Sequence, residues 1–138
     1  MAYLWDKNLE TGYKLVDDQH RELINAVNAL NEANYAGQGS HELLEIVLFL
    51  IRYANRHFRE EEALQRRFHY PEYSRHKTYH DDFKAQVNGL SKKMMGEGAT
   101  PELVNEVAVF IGEWLINHIK GDDFAMAAFI QGGQYTDS

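Results

Sequence analysis

Residues 40–68 read SHELLEIVLFLIRYANRHFREEEALQRRF. Within them Leu43, Val47, Leu50, Ala54, His57, Glu61, Leu64 and Phe68 recur at steps of three and four. That spacing keeps one face of an α-helix turned the same way, so the stretch predicts a helix starting after Ser40, a residue suited to cap it. The stripe also contains an anomaly. His57 and Glu61 stand one helical turn apart in phase with Val47, Leu50 and Leu64. A carboxylate on an inward stripe is costly unless it is paired or bound to a metal. Glu60 and Glu62, on either side of it, read as solvent-facing members of a charge run.

Glycine and proline punctuate the chain at Gly37-Gln38-Gly39-Ser40, at Tyr70-Pro71 and from Gly96 to Pro101. Between these breaks the helical period persists. A first helix is expected from Asp17 or Asp18, either of which can cap it, to Gly37, with the stripe His20, Leu23, Ile24, Val27, Leu30. A third follows Pro71 and carries Tyr73, His76, His80, Phe83, Val87, Leu90 and Met94. The fourth opens with Thr100 as cap and Pro101 in its first position, carries Val104, Val107, Ile111, Trp114 and His118, and is expected to end at Gly121. Four helices of about 20 residues joined by short loops predict an all-α, up-down-up-down four-helix bundle with an N-terminal arm. One domain is expected over 1–138: an arm over 1–16, the bundle over 17–130 and a tail over 131–138, frayed from Gly132.

Composition narrows the function. The 138 residues are 44% hydrophobic and 25% charged, the balance of a globular domain. The net charge of −7 argues against a nucleic-acid partner or an anionic membrane surface, which need a basic face. The absence of cysteine excludes disulfides, thiolate zinc sites, iron–sulfur clusters and cysteine nucleophiles. The apolar run Ile46–Ile51 is too short to span a bilayer, and Met1 to Asp6 lacks the basic and apolar regions of a signal peptide. A cytoplasmic protein without membrane contact is expected.

The inward stripes together carry His20, His57, Glu61, His76, His80 and His118. His57-x-x-x-Glu61 and His76-x-x-x-His80 each place two donors on one helical face. His118 is followed five residues later by Asp123 past Gly121, where a loosened helix lets the carboxylate turn back inward; Asp122 is its rival. His41 and His69 fall outside the stripes and read as surface residues. Five imidazoles and two carboxylates are too many for one ion. Two ions, each near six-coordinate, fit if both carboxylates bridge, and one position then stays open for an exogenous ligand. The donor set suits iron, and also manganese, zinc or copper. Carboxylate-rich di-iron oxidases use paired Glu-x-x-His motifs, and none occurs here. A histidine-rich set donates less charge and favours reversible oxygen binding over oxidation of a substrate.

These residues resemble those of the bacterial hemerythrins, non-haem di-iron oxygen-binding proteins. The matching motifs are Asp17-Asp18-Gln19-His20, His57-Phe58 with Glu61, Tyr70-Pro71 before His76 and His80, and Trp114-Leu115 through His118 to Asp123-Phe124. Trp5-Asp6 resembles the family's opening, so the likeness runs from about Trp5 to Phe129. It implies that His76, His80 and His118 hold one iron, and that His20 and His57 hold the other, which keeps the vacant position. Glu61 and Asp123 would bridge the two iron ions with an oxo or hydroxo group, and Phe58, Trp114, Leu115 and Ile119 would line the oxygen pocket. Dioxygen is the implied ligand, with small anions such as azide or chloride in the ferric state. Relatives sit at the ends of chemotaxis-type receptors, which makes membership of a larger signalling protein a further expectation, with oxygen sensing, carriage or storage as the role. Where animal members carry a tyrosine soon after the aspartate, this chain has Ala125 and Met126. The competing readings are a di-iron peroxidase or oxidase on the same ligands, a haem-binding bundle, and a structural bundle with surplus histidines.

Overall fold

The computed structural model describes residues 3–136. Five helices follow one another: α1 (Lys14–Tyr35), α2 (Ser40–Arg67), α3 (Tyr73–Glu97), α4 (Pro101–His118) and α5 (Phe124–Thr136). Four of them form the bundle, and α5 continues α4 through one wide π turn, Ile119–Asp123. The core is continuous along the bundle axis, with Leu23, Val27, Leu30, Val47, Leu50, Val87, Val104 and Val107 among its members. Every one of these lies on a stripe expected from the 3.6-residue period.

Helix boundaries depart from expectation where side chains do other work. α1 begins at Lys14, before Asp17. The Asp17 carboxylate reaches back to accept hydrogen bonds from Thr11 N at 2.8 Å, Thr11 Oγ1 at 2.7 Å and Gly12 N at 3.1 Å, so it fastens the arm rather than capping the helix. Gly39 takes the cap position expected of Ser40. Ser40 Oγ accepts from Ala99 N at 2.8 Å and ties the start of α2 to the loop before α4. Thr100 caps α4 through Leu103 N with Pro101 beside it, as the sequence predicts.

Gly121, the expected end of the fourth helix, does not end it. The helix passes through it as a π turn, and helical structure extends beyond Gly132 to Thr136, where a frayed tail is expected. Met126, Ala127 and Ile130 are fully buried, so apolar packing carries the chain across the glycine. Residues 137–138 of that tail, and Met1 and Ala2 of the arm, lie outside the described residues.

The arm is packed, not loose. Tyr3 and Asn28 exchange two hydrogen bonds of 2.8 Å, and Leu9 joins the core from a 3₁₀ turn at Lys7–Leu9. The Tyr3 ring lies so close to Gly112 that a Cβ there would come within 2.4 Å of it. At the far end of α2, His69 takes a φ of 54°. His69 N donates to Arg66 O and Tyr70 N to Gln65 O, the paired bonds that close a helix C-terminus on a left-handed residue. Among the described residues no helix is long and apolar enough to cross a membrane.

Candidate metal centre

Each element of the bundle brings donors to one level. α1 supplies His20, α2 supplies His57 and Glu61, α3 supplies His76 and His80, and α4 with its π turn supplies His118 and Asp123. All seven side chains are buried, His20, His80 and Asp123 completely. They converge in two groups. Glu61, His76, His80 and His118 place ligand atoms within 4.8 Å of one another, and so do His20, His57, Glu61 and Asp123.

The two carboxylates join the groups. Glu61 Oε1 lies 2.9 Å from His76 Nε2 and 3.1 Å from His80 Nε2, while its Oε2 lies 3.2 Å from His57 Nε2. Asp123 Oδ1 lies 3.0 Å from His76 Nε2 and 3.3 Å from His118 Nε2, while its Oδ2 lies 2.8 Å from His20 Nε2. Each carboxylate thus turns one oxygen toward each group. The Nε2 atoms of His76 and His118 are 2.8 Å apart, and those of His80 and His118 are 3.1 Å apart. Donors that share an ion at about 2.1 Å in right-angled positions stand about 3 Å from one another.

Hydrogen bonding does not account for this convergence. Both Glu61 oxygens, both Asp123 oxygens, His20 Nε2 and His57 Nε2 are buried without an aligned hydrogen bond. Leaving that many polar atoms unsatisfied in a low-dielectric interior is costly. A cation within each group would satisfy all of them, so the residues present fit a pair of metal ions. The electrostatics agree. Burial opposes charge on His20, His76 and His118, yet the Glu61 and Asp123 carboxylates raise their pKa values to about 9, about 9 and about 10. Burial likewise opposes ionisation of Glu61, but the facing imidazoles hold its pKa well below the usual carboxylate range. The pocket is built for carboxylates beside positive charge.

Four of the five imidazoles are held from behind at Nδ1. Gln19 Oε1 lies 2.6 Å from His57 Nδ1, the Gln65 amide 2.8 Å from His76 Nδ1, Glu62 Oε2 2.8 Å from His80 Nδ1, and Asp122 Oδ2 3.2 Å from His118 Nδ1. These contacts aim Nε2 at the centre. Glu62 corrects an expectation: it is 6% exposed, not solvent-facing, because α2 is enclosed on a wider arc at this level than along its apolar half. Glu60 is half-buried and accepts from Gln19 Nε2. Asp122, the rival to Asp123, turns to the outer side of His118 and to Arg75. The signal for Glu62 and Gln65 was their place beside the ligand stripe, one and four residues after Glu61.

The expected pocket residues are packed around the same level. Phe58 stacks on His80 with ring centroids 4.1 Å apart, and Trp114 stacks on His118 at 4.4 Å. Phe58, Leu115 and Ile119 are buried in the core cluster, and Trp114 is half-buried against it. His41 and His69 are exposed and lie apart from the centre.

A four-helix bundle that closes over five imidazoles and two shared carboxylates defines a class: helical proteins with paired, buried clusters of metal-ligating side chains. The chain belongs to the hemerythrin family, for a family model described as the hemerythrin HHE cation binding domain matches residues 11–130. It is 31% identical over 128 residues to a bacteriohemerythrin from Stenotrophomonas maltophilia, covering 92% of this chain and 81% of that protein. A myohemerythrin from Theromyzon tessulatum is 26% identical over 122 residues, covering 88% of each. A crystal structure of wild-type hemerythrin superposes with a TM-score of 0.84 at 25% identity, covering 94% of this chain and 98% of that one.

Proposed function

We propose that this chain holds two iron ions in its bundle and binds dioxygen reversibly at one of them. The observation that carries this reading is the division of each carboxylate: Glu61 and Asp123 each turn one oxygen to the three-histidine group and one to the two-histidine group. His76, His80 and His118 would hold one ion, His20 and His57 the other, and Glu61 and Asp123 would serve both. When bound, the iron pair supplies two electrons reversibly to an exogenous ligand at the position that the shorter histidine set leaves open.

The chain's own residues then decide what happens at that position. Phe58, Leu115 and Ile119 are buried, and with Trp114 they exclude water and free protons from the pocket. That exclusion keeps the ligand from being protonated and lost, so binding stays reversible. The outer bonds from Gln19, Gln65, Glu62 and Asp122 keep the imidazoles from swinging away when the pocket is empty of ligand. In the oxidised form the same position accepts small anions such as azide or chloride. The role is binding, for sensing, carriage or storage, within a larger signalling protein or alone.

The test is a visible spectrum of the iron-loaded chain, reduced without air and then exposed to it. A charge-transfer band that grows with oxygen and vanishes under vacuum is expected. A band that cannot be reversed, with peroxide consumed at the expense of a reducing substrate, overturns the reading in favour of an enzyme.

A further inference from the structure

The two halves of the centre are not backed equally. Behind the three-histidine group stand two carboxylates. Glu62 Oε2 lies 2.8 Å from His80 Nδ1, and Asp122 Oδ2 lies 3.2 Å from His118 Nδ1. Behind the two-histidine group stands one neutral amide, Gln19, 2.6 Å from His57 Nδ1, and His20 Nδ1 is buried without a hydrogen-bond partner. The groups in direct contact with Nδ1 therefore differ by two charges between the halves, and Glu60 reaches His57 only through Gln19. The carboxylates themselves are unequal. Asp122 is half-buried and shares its charge with Arg75 at 3.3 Å, whereas Glu62 is almost fully buried.

A carboxylate that accepts a hydrogen bond from imidazole Nδ1–H pushes electron density toward Nε2 and makes it a stronger donor to a metal. An amide oxygen does so less, and an unpartnered ring gains nothing. The effect grows where water is excluded, because the interior screens charge poorly. Glu62 meets both conditions.

We propose that Glu62 is a positioning residue that, acting through His80, makes the three-histidine half the first and tighter of the two metal sites. The inference rests on the di-metal reading above. It adds an order of loading and a residue that sets it. Three imidazoles against two already tilt the balance the same way, and Glu62 supplies a further part that one substitution removes. Glu62→Gln keeps the shape and a hydrogen-bond acceptor but deletes the charge.

The experiment is an anaerobic titration of the metal-free full chain with cobalt(II), followed by calorimetry and by the cobalt absorption bands. The unaltered chain is expected to take two ions in two steps. In E62Q the first step weakens by about tenfold or more, the second stays within about twofold, and the first-equivalent cobalt bands shift. The far-UV circular dichroism and melting of the metal-free variant stay as they were. A first step that is unchanged in E62Q, or both steps weakened together, overturns the proposal. The unaltered chain carries an independent check through the large contact shifts that only directly ligated imidazole protons acquire. The first equivalent is expected to give contact-shifted signals from His76, His80 and His118 before His20 and His57, and the opposite order overturns it. Two ions bound with one shared affinity refute the ranking and leave the di-metal reading standing; no cobalt bound at all refutes both.

Discussion

His118 and Asp123 are five residues apart, yet His118 Nε2 and Asp123 Oδ1 lie 3.3 Å from each other because the chain between them makes a π turn. An ordinary α-helix advances 3.6 residues per turn and would carry the fifth residue well around the cylinder. The wider turn brings it back to the same face. π turns are rare and concentrate at functional sites. This one places the Asp123 carboxylate beside His20, His76 and His118 without ending the helix, so α5 can go on to bury Met126 and Ile130.

His118 is therefore expected to be indispensable for loading. His118→Ala removes one donor of the three-histidine group and leaves Asp123 Oδ1 with a single imidazole at close range, that of His76. Iron analysis after anaerobic reconstitution should fall well below two per chain, while the metal-free variant keeps its helical circular dichroism. Two irons per chain in the variant would contradict the assignment.

Polar substitutions in the apolar wall should shorten the life of the oxygenated state. Ile119→Thr and Leu115→Asn each admit a hydroxyl or amide, and with it water, to a wall that is now buried and apolar. Decay of the oxygenated spectrum in air is expected to speed up severalfold. Burying the new polar group also costs about 1–3 kcal/mol of stability, so melting curves must be compared alongside.

The metal-free chain should lose stability as pH rises from neutral. His20, His76 and His118 have pKa values raised from 6.5 to about 9, about 9 and about 10, so the folded metal-free chain binds protons that the unfolded chain releases. That contribution is complete below pH 6.5 and disappears as pH climbs through about 9 to 10. Metal ligation needs neutral imidazole, so iron uptake near pH 7.5 should release protons, measurable with a dye in weak buffer. The melting temperature of the metal-free chain should fall between pH 7 and 9.5 more steeply than that of the loaded one. Equal slopes would refute the linkage.

His69 offers a stability test remote from the centre. Its φ of 54° lies in the left-handed region, where a residue with a Cβ costs about 1–2 kcal/mol and glycine does not. Because glycine also frees the unfolded chain, His69→Gly is expected to gain about 0.5–1 kcal/mol, a rise of a few degrees in Tm. A lower Tm would mean that the imidazole contributes more than its backbone conformation costs.

The sequence alone determined the bundle and the inward phase of its polar residues. Burial is periodic, and a period of 3.6 is visible in the order of residues without any knowledge of partners. His20, His57, Glu61, His76, His80 and His118 could be seen together because each falls in step with its neighbours Leu23, Leu50, Phe83 or Ile111. Tertiary structure alone decided the outer contacts. Glu62 stands one position off its stripe and is buried only because α2 is enclosed more widely where His80 approaches it. Asp17 turns from a helix cap into a clasp on Thr11 and Gly12 because the arm folds back over it. Gly121 does not stop the helix because residues beyond it find a core to fill. Local propensity and periodicity are properties of a segment; which side of a half-exposed helix is finally covered depends on segments far away in the chain, and only the packed fold brings them together.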